Sequence, residues 1–206
     1  LVGSEMCIRD RNTPVGILSG PSFASEVAAE GPTALSLAVE ICSPIMENIQ
    51  ENISNDKFRV YLTDDLKGVG YGGILKNIYA IGAGLCDGLK LGDNAKSAYI
   101  TRALNEMVSI GKSLGGRKET FYGLSGFGDL VATCFGEGSR NRMFGEFLGK
   151  GEQSDIILDG QKTVVEGFVA VDCLHQIARR DHLETPILNE LYAIIYDKKS
   201  PKLALN

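Results

Sequence analysis

Apolar residues recur along this 206-residue chain with two different periods, and the change comes near residues 64–67. Before it, short apolar runs are separated by turn signals. Val15 to Ser19, Thr33 to Val39 and Phe58 to Thr63 read as strands. Phe23 to Ala29, closed by Gly31, reads as a helix between the first two. Ser43-Pro44 opens a second helix to about Ile53, with Ser43 as N-cap and Pro44 at the first helical position. Strand–helix–strand–helix–strand predicts parallel α/β structure.

After Thr63 the apolar spacing becomes three and four residues. Helices are expected near 68–90, 95–115, 126–136, 139–149, 163–180 and 186–197. In the second, Ile100, Leu104, Met107, Val108, Gly111 and Leu114 form one face, leaving Arg102, Asn105, Glu106 and Lys112 on the polar side. Val164, Phe168, Val171, Leu174 and Ala178 make a similar stripe, as do Ile187, Leu188, Leu191, Ile194 and Ile195 after Thr185-Pro186. Such stripes predict a core and carry no chemistry. The expected organisation is an α/β segment over 13–65 and an all-helical domain over 66–206.

Composition narrows the class. Hydrophobic residues make up 44% of the chain, enough for a sizeable core. A net charge of −5 argues against nucleic-acid or anionic-membrane binding, while leaving room for a local anion site. Five cysteines without a CxxC pair suit reduced thiols in a cytoplasmic protein, and the two histidines, His175 and His182, do not pair with cysteines at metal-ligand spacing. No metal site is expected. Residues 1–12 stand apart: LVGSEMCIRDR resembles a translated sequencing adapter, so they are expected to be a non-native leader, the alternative being a flexible arm.

Candidate chemistry begins at Gly72-Gly73-Ile74-Leu75-Lys76-Asn77. Lys76 is the one cation in the apolar helical run Ile74 to Leu85. A lysine there either snorkels to solvent or serves a site that needs a proton carrier, and its own helix leaves both readings open. Just upstream, Gly68-Val69-Gly70-Tyr71-Gly72-Gly73 satisfies GxGxxG, with Asp87 about twenty residues on. Asp64 to Lys67 separate these glycines from the preceding strand, and no strand follows to carry Asp87, so dinucleotide binding by this loop is not expected. Farther on, Asp129 and Thr133 in GFGDLVATC share a helical face. Ser139 of SRNR can cap a helix whose free N–H groups, beside Arg140 and Asn141, suit a phosphate. A capped surface helix with two solvated arginines, Arg140 and Arg142, is the alternative.

Four stretches together, GPSFA at 20–24, GGILKN with the following glycine-rich and GDNAK segments, GFGDLVATC with SRNR, and VVEG at 164–167, resemble the NAD(P)-dependent glycerol-3-phosphate dehydrogenase family, from about Val15 to Asp197. The resemblance implies an α/β remnant of a Rossmann-type domain followed by an all-α substrate-binding domain. It implies interconversion of dihydroxyacetone phosphate and sn-glycerol 3-phosphate with NAD or NADP, supplying phospholipid synthesis. Lys76 would be the acid in reduction and the base in oxidation, its pKa lowered by the apolar helix and by Arg140, with Asp129 as its catalytic partner. Gly20, Ser22, Asn77, Thr133, Ser139, Arg140 and Asn141 would hold substrate. Ala24, Arg140, Val164 and Glu166 would face the cofactor.

The family's nucleotide-binding half, with its own GxGxxG, is expected to precede Val15; the chain then reads as the carboxyl-terminal two thirds of an enzyme, inactive alone. Two alternatives remain: a non-catalytic helical binding or oligomerisation module, and a dehydrogenase of another hydroxy acid or of 6-phosphogluconate. The expected partner is a small phosphorylated substrate, with a homodimer compatible and neither nucleic acid nor membrane involved.

Overall fold

The computed structural model of the protein describes residues 15–40, 44–154, 158 and 165–205. The leader 1–12 and the Ser43 cap lie outside the described residues. Three strands, β1 (Gly16–Ser19), β2 (Thr33–Val39) and β3 (Phe58–Thr63), form one sheet in that order. β2 and β3 run parallel, from Thr33 opposite Phe58 to Ala38 opposite Thr63, with helix α2 (Pro44–Ile53) as the crossover. β1 runs antiparallel to β2, which corrects the all-parallel expectation. The reason lies in α1 (Ala24–Ala28), which has only five residues. That is about 7.5 Å of helix, too little to carry the chain back along the sheet as a parallel crossover requires. Glu30 then turns with φ of 57°, and the chain reverses into β2. Leu37, Val39, Met46 and Val60 form the small core beneath α2.

The rest of the described chain is helical: α3 (Leu66–Gly88), α4 (Asp93–Ser113), α5 (Lys118–Tyr122), a π-helical turn (Leu124–Gly128), α6 (Asp129–Phe135), α7 (Arg140–Gly149), α8 (Glu166–Arg180), α9 (Pro186–Ile195) and a 3₁₀ turn (Pro201–Leu205). One regular helix is expected over 126–136; the chain instead makes a π turn and then α6. The glycine run 68–73 lies wholly inside α3. It offers no loop in which successive N–H groups could cradle a pyrophosphate.

α3 is the axis, packed against α4, α6, α7 and α8. Leu75, Ile78, Tyr79, Ile81 and Ala83 have no solvent exposure. Its approach to α7 is backbone on backbone. A Cβ on Gly84 would stand 1.9 Å from the Arg142 carbonyl oxygen, and one on Gly145 would stand 1.8 Å from that of Ile81. No other residue type fits either place without moving a helix.

Two buried carboxylates hold helix ends. Glu106, expected on the polar face of α4, is buried instead. It accepts the Ile187 and Leu188 N–H groups at 2.8 and 2.9 Å and the Tyr79 hydroxyl at 3.2 Å, so it caps α9 from inside the core. Burial pushes its carboxyl up, and the two backbone bonds oppose that. Asp65 caps α3 by accepting the Gly68 N–H at 2.9 Å, and also takes the Arg117 N–H at 2.8 Å and the Thr120 hydroxyl at 2.6 Å. Burial pushes Asp65 up, but these three donors outweigh it and hold the carboxyl below its ordinary value.

Asp65→Ala is expected to cost about 2–4 kcal/mol, combining a lost cap with donors left unpaired. Because the folded state holds this carboxyl below its unfolded value, its stabilisation is complete above about pH 4. It is lost as the pH falls through the lowered folded value. Urea unfolding of wild type and Asp65→Ala at neutral and acid pH checks both: the gap between them should narrow in acid.

Candidate active site

Lys76 projects from α3 toward the first residue of α6, and its Nζ donates to Asp129 Oδ1 at 2.6 Å. The two side chains are 22% and 4% exposed. This is a nearly buried ion pair between residues 53 apart in sequence, with the ammonium on the wetter side. Thr133, one helical turn beyond Asp129, donates its hydroxyl to the Asp129 carbonyl at 2.6 Å and lies 3.5 Å from the carboxylate. Burial pushes the Asp129 carboxyl up from its ordinary value. The Lys76 ammonium, Thr133 and the Ser19 hydroxyl at the end of β1 work against that rise. Ser19 is a contributor that sequence reasoning missed; its position at the strand's end, directly before GPSFA, was the available signal.

The π turn delivers Asp129 to this place. A Cβ on Gly72 would lie 2.4 Å from the Ser125 carbonyl oxygen, so the turn lies directly on α3 one helical turn before Lys76. π turns of this kind are frequent at functional sites. Gly72, which fills a variable position of the misleading GxGxxG, thus has a packing role one turn before the lysine.

Asn77 links Lys76 to the next element. Its Nδ2 donates to the Gly73 carbonyl at 3.3 Å, and its Oδ1 accepts from Asn141 Nδ2 at 3.0 Å. Asn141, buried in the first turn of α7, also accepts the Gly167 N–H at 2.8 Å, which ties in the start of α8. Ser139 is the N-cap of α7 and accepts the Arg142 N–H at 3.2 Å. The N–H groups of Arg140 and Asn141 precede any intrahelical acceptor, as at every helix start. Arg140 is exposed and its guanidinium donates to Glu166, the first residue of α8. One anion-seeking helix start, one cation and one carboxylate are therefore tied by the Asn77–Asn141 bridge to the residue next to Lys76 on α3.

From the sheet side, Gly20 turns the chain at φ of 149°, and Ser22 donates its hydroxyl to the Gly20 carbonyl at 3.2 Å. A Cβ on Gly128 would meet Pro21 at 3.7 Å, which places this loop against the π turn ahead of Asp129. Ser22 and Ala24 are exposed. Val164 lies outside the described residues. Arg142 departs from the picture of two solvated arginines: it is turned inward and paired with Asp87 and Glu146. Among the described residues no group of three or more His, Cys, Asp or Glu could hold a metal. None of their helices is long and apolar enough to cross a membrane.

Comparison with known proteins gives this geometry a context. A family profile described as the NAD-dependent glycerol-3-phosphate dehydrogenase C-terminus matches residues 65–206. Glycerol-3-phosphate dehydrogenase [NAD(P)+] of Syntrophotalea carbinolica is 46% identical over 201 residues, covering 98% of this chain and 60% of the relative. The counterpart in Oceanobacillus iheyensis is 43% identical, over 98% of this chain and 58% of its own length. The crystal structure of glycerol-3-phosphate dehydrogenase from Coxiella burnetii superposes with a TM-score of 0.89 at 42% identity, covering 93% of this chain and 59% of that one. The Saccharomyces cerevisiae enzyme gives 0.85 at 25% identity, over 98% and 61%. The chain spans about 60% of the length of the relatives it matches.

Gly72→Ala is expected to destabilise the fold by about 1–3 kcal/mol, since a backbone carbonyl cannot swing aside as a side chain can. Gly70→Ala, whose Cβ would meet only the end of Ile17 at 3.3 Å, should be neutral or gain up to about 1 kcal/mol of helix propensity. Thermal unfolding of the two variants beside wild type distinguishes the positions; equal effects would contradict the close approach.

Proposed function

Because this chain belongs to the NAD-dependent glycerol-3-phosphate dehydrogenase family, we propose that the protein interconverts dihydroxyacetone phosphate and sn-glycerol 3-phosphate with NAD or NADP. The observation that carries the reading is the convergence of Lys76, paired to a buried Asp129 at 2.6 Å, with the capped start of α7 through Asn77 and Asn141. Residues 66–206 form the substrate side in this reading, and residues 13–65 lend the nucleotide-binding side its edge.

Reduction of a ketone needs a hydride at carbon and a proton at oxygen. NAD(P)H, when bound, supplies the hydride. The donor set suits it: a carboxylate, Glu166, can accept ribose hydroxyls, and a guanidinium, Arg140, can meet a phosphate. Both are exposed beside Asn141 and Gly167, with Ala24 and Val164 assigned to the same task. The Lys76 Nζ holds the proton that passes to the carbonyl oxygen, and takes it back in the oxidising direction. Asp129 orients that ammonium, and Thr133 braces Asp129 from one turn below. Gly20 and Ser22 border the site from the sheet side. The phosphate group sits at the start of α7, where the free Arg140 and Asn141 N–H groups, the Ser139 turn and the Arg140 fork converge. Asn77 carries the alignment from one end of the substrate to the other. A hydroxy acid would bring only the two oxygens of a carboxylate to this anion site, whereas a phosphate brings three for the N–H groups and the Arg140 fork, which favours a phosphorylated substrate.

The test joins this chain to the part of the Syntrophotalea carbinolica relative that the match leaves out, and follows NAD(P)H oxidation with dihydroxyacetone phosphate. No turnover above background in a folded protein would remove the proposal. In that enzyme Lys76→Ala is expected to lower kcat by about 10²–10⁴-fold, with a smaller effect on KM for the phosphorylated substrate. An unchanged kcat across the pH range would reduce Lys76 to a snorkelling side chain.

Arg140→Lys keeps the charge but loses the two-pronged geometry. Its kcat/KM for dihydroxyacetone phosphate is expected to fall by about one to two decades, and that for unphosphorylated dihydroxyacetone much less. Equal losses on both substrates would move Arg140 from the phosphate to the cofactor or the fold.

A further inference from the structure

The second arginine of SRNR has no part in the chemistry above, yet it makes the more elaborate set of contacts. Arg142 is 14% exposed. Its Nη1 donates to Asp87 Oδ2 at 2.7 Å and to Glu146 Oε2 at 3.3 Å, and its Nε donates to the Gly136 carbonyl at 3.2 Å. Asp87, in the last turn of α3, also accepts from Lys96 at 2.9 and 2.8 Å. Lys96 belongs to the first turn of α4, is 8% exposed, and lies 4.7 Å from the centre of the Phe135 ring at the end of α6. The end of α3, the start of α4 and the start of α7 thus meet at one carboxylate, with the end of α6 lying against the Lys96 ammonium.

We infer that Arg142, held by Asp87 and Lys96, is a positioning residue that sets the start of α7, and with it the phosphate-binding N–H groups, at a fixed place relative to Lys76. The inference rests on the proposed phosphate site. Its physical basis is a division of labour along α3. Gly84 and Gly145 let α3 and α7 touch, but bare backbone has no side chain to fix how one helix lies along the other. A guanidinium bonded to three acceptors is directional and supplies that register. Asp87 lies eleven residues after Lys76 in the same helix, a rigid span of about 16 Å. Through the Gly136 carbonyl the same guanidinium pins the turn that delivers Ser139. Arg142 and Lys96 both direct their charge at Asp87, and Glu146 is shared between Arg142 and Lys150.

The test is titration of the 206-residue chain with sn-glycerol 3-phosphate, read from the backbone amide signals of Arg140 and Asn141 by NMR, with thermal unfolding alongside. Arg142→Gln and Asp87→Asn are each expected to weaken binding about 10-fold while the protein stays folded. The double variant should lose less than the two single losses combined, because the two share the Arg142–Asp87 contact. Arg142→Lys should fall between wild type and Arg142→Gln, recovering the bond to Asp87 but not the second bond to Gly136. Binding by Arg142→Gln within twofold of wild type would overturn the inference while leaving the phosphate site intact. Additive losses in the double variant would also overturn it. So would unfolding of both single variants, since the cluster would then hold the fold and not the phosphate helix. A wild-type chain whose Arg140 and Asn141 amides do not respond would overturn the phosphate site and this inference together.

Discussion

A Cβ on Gly84 or Gly145 would fall within 2 Å of a carbonyl oxygen of the facing helix, so α3 and α7 can meet only as bare backbone. Much of the candidate site follows from that contact. Lys76 and Asn77 lie on α3, and Ser139, Arg140 and Asn141 open α7. Wider separation would break the Asn77–Asn141 hydrogen bond and leave the buried Asn141 amide without that partner, a cost of about 1–3 kcal/mol. The same device recurs at Gly72, where the π turn settles on α3 and brings Asp129 to the lysine. Glycine here supplies distance, and polar side chains supply direction.

Buried charge is arranged around that axis with a partner at every point. Asp129 has Lys76, Thr133 and Ser19. Glu106 has two backbone N–H groups and a tyrosine hydroxyl. Asp87, itself part-exposed, has Arg142 and the buried Lys96. Removing one member of such a buried pair typically costs about 3–5 kcal/mol, because it strands the other charge away from water. The pairs differ in what they leave accessible. Glu106 is closed in by α9, whereas the Lys76 ammonium keeps a solvent-facing side where a substrate oxygen could approach. Accessibility, more than burial, separates a candidate proton carrier from a structural cap.

The sheet side contributes at one edge. β1 ends at Ser19, which reaches Asp129, and the Gly20–Ser22 turn lies against the π turn. The antiparallel course of β1 is therefore not incidental to the site. It sends the end of that strand to the helices, while β3 feeds directly into α3 through the Asp65 cap.

Legible in the sequence are the features fixed by local chemistry. Apolar period gives the strands and most of the helices, because side-chain spacing must match 2.0 or 3.6 residues per repeat. Ser139 announces a cap, and a spacing of four puts Thr133 under Asp129. The GGILKN, GFGDLVATC and SRNR stretches point to the family that the comparisons then show. What the tertiary structure alone decided are contacts between residues far apart in the chain. The pairing of Lys76 with Asp129, the inward turn of Arg142 toward Asp87, and the burial of Glu106 depend on which helices touch. So does the meaning of the glycine run 68–73, which by spacing suits a nucleotide loop and in the fold is a packing face of α3. The direction of β1 was likewise hidden, since it depends on whether a five-residue helix can span the sheet. Period and motif report what a residue is beside in sequence; whether a charge is solvated, paired or buried is set by what is beside it in space.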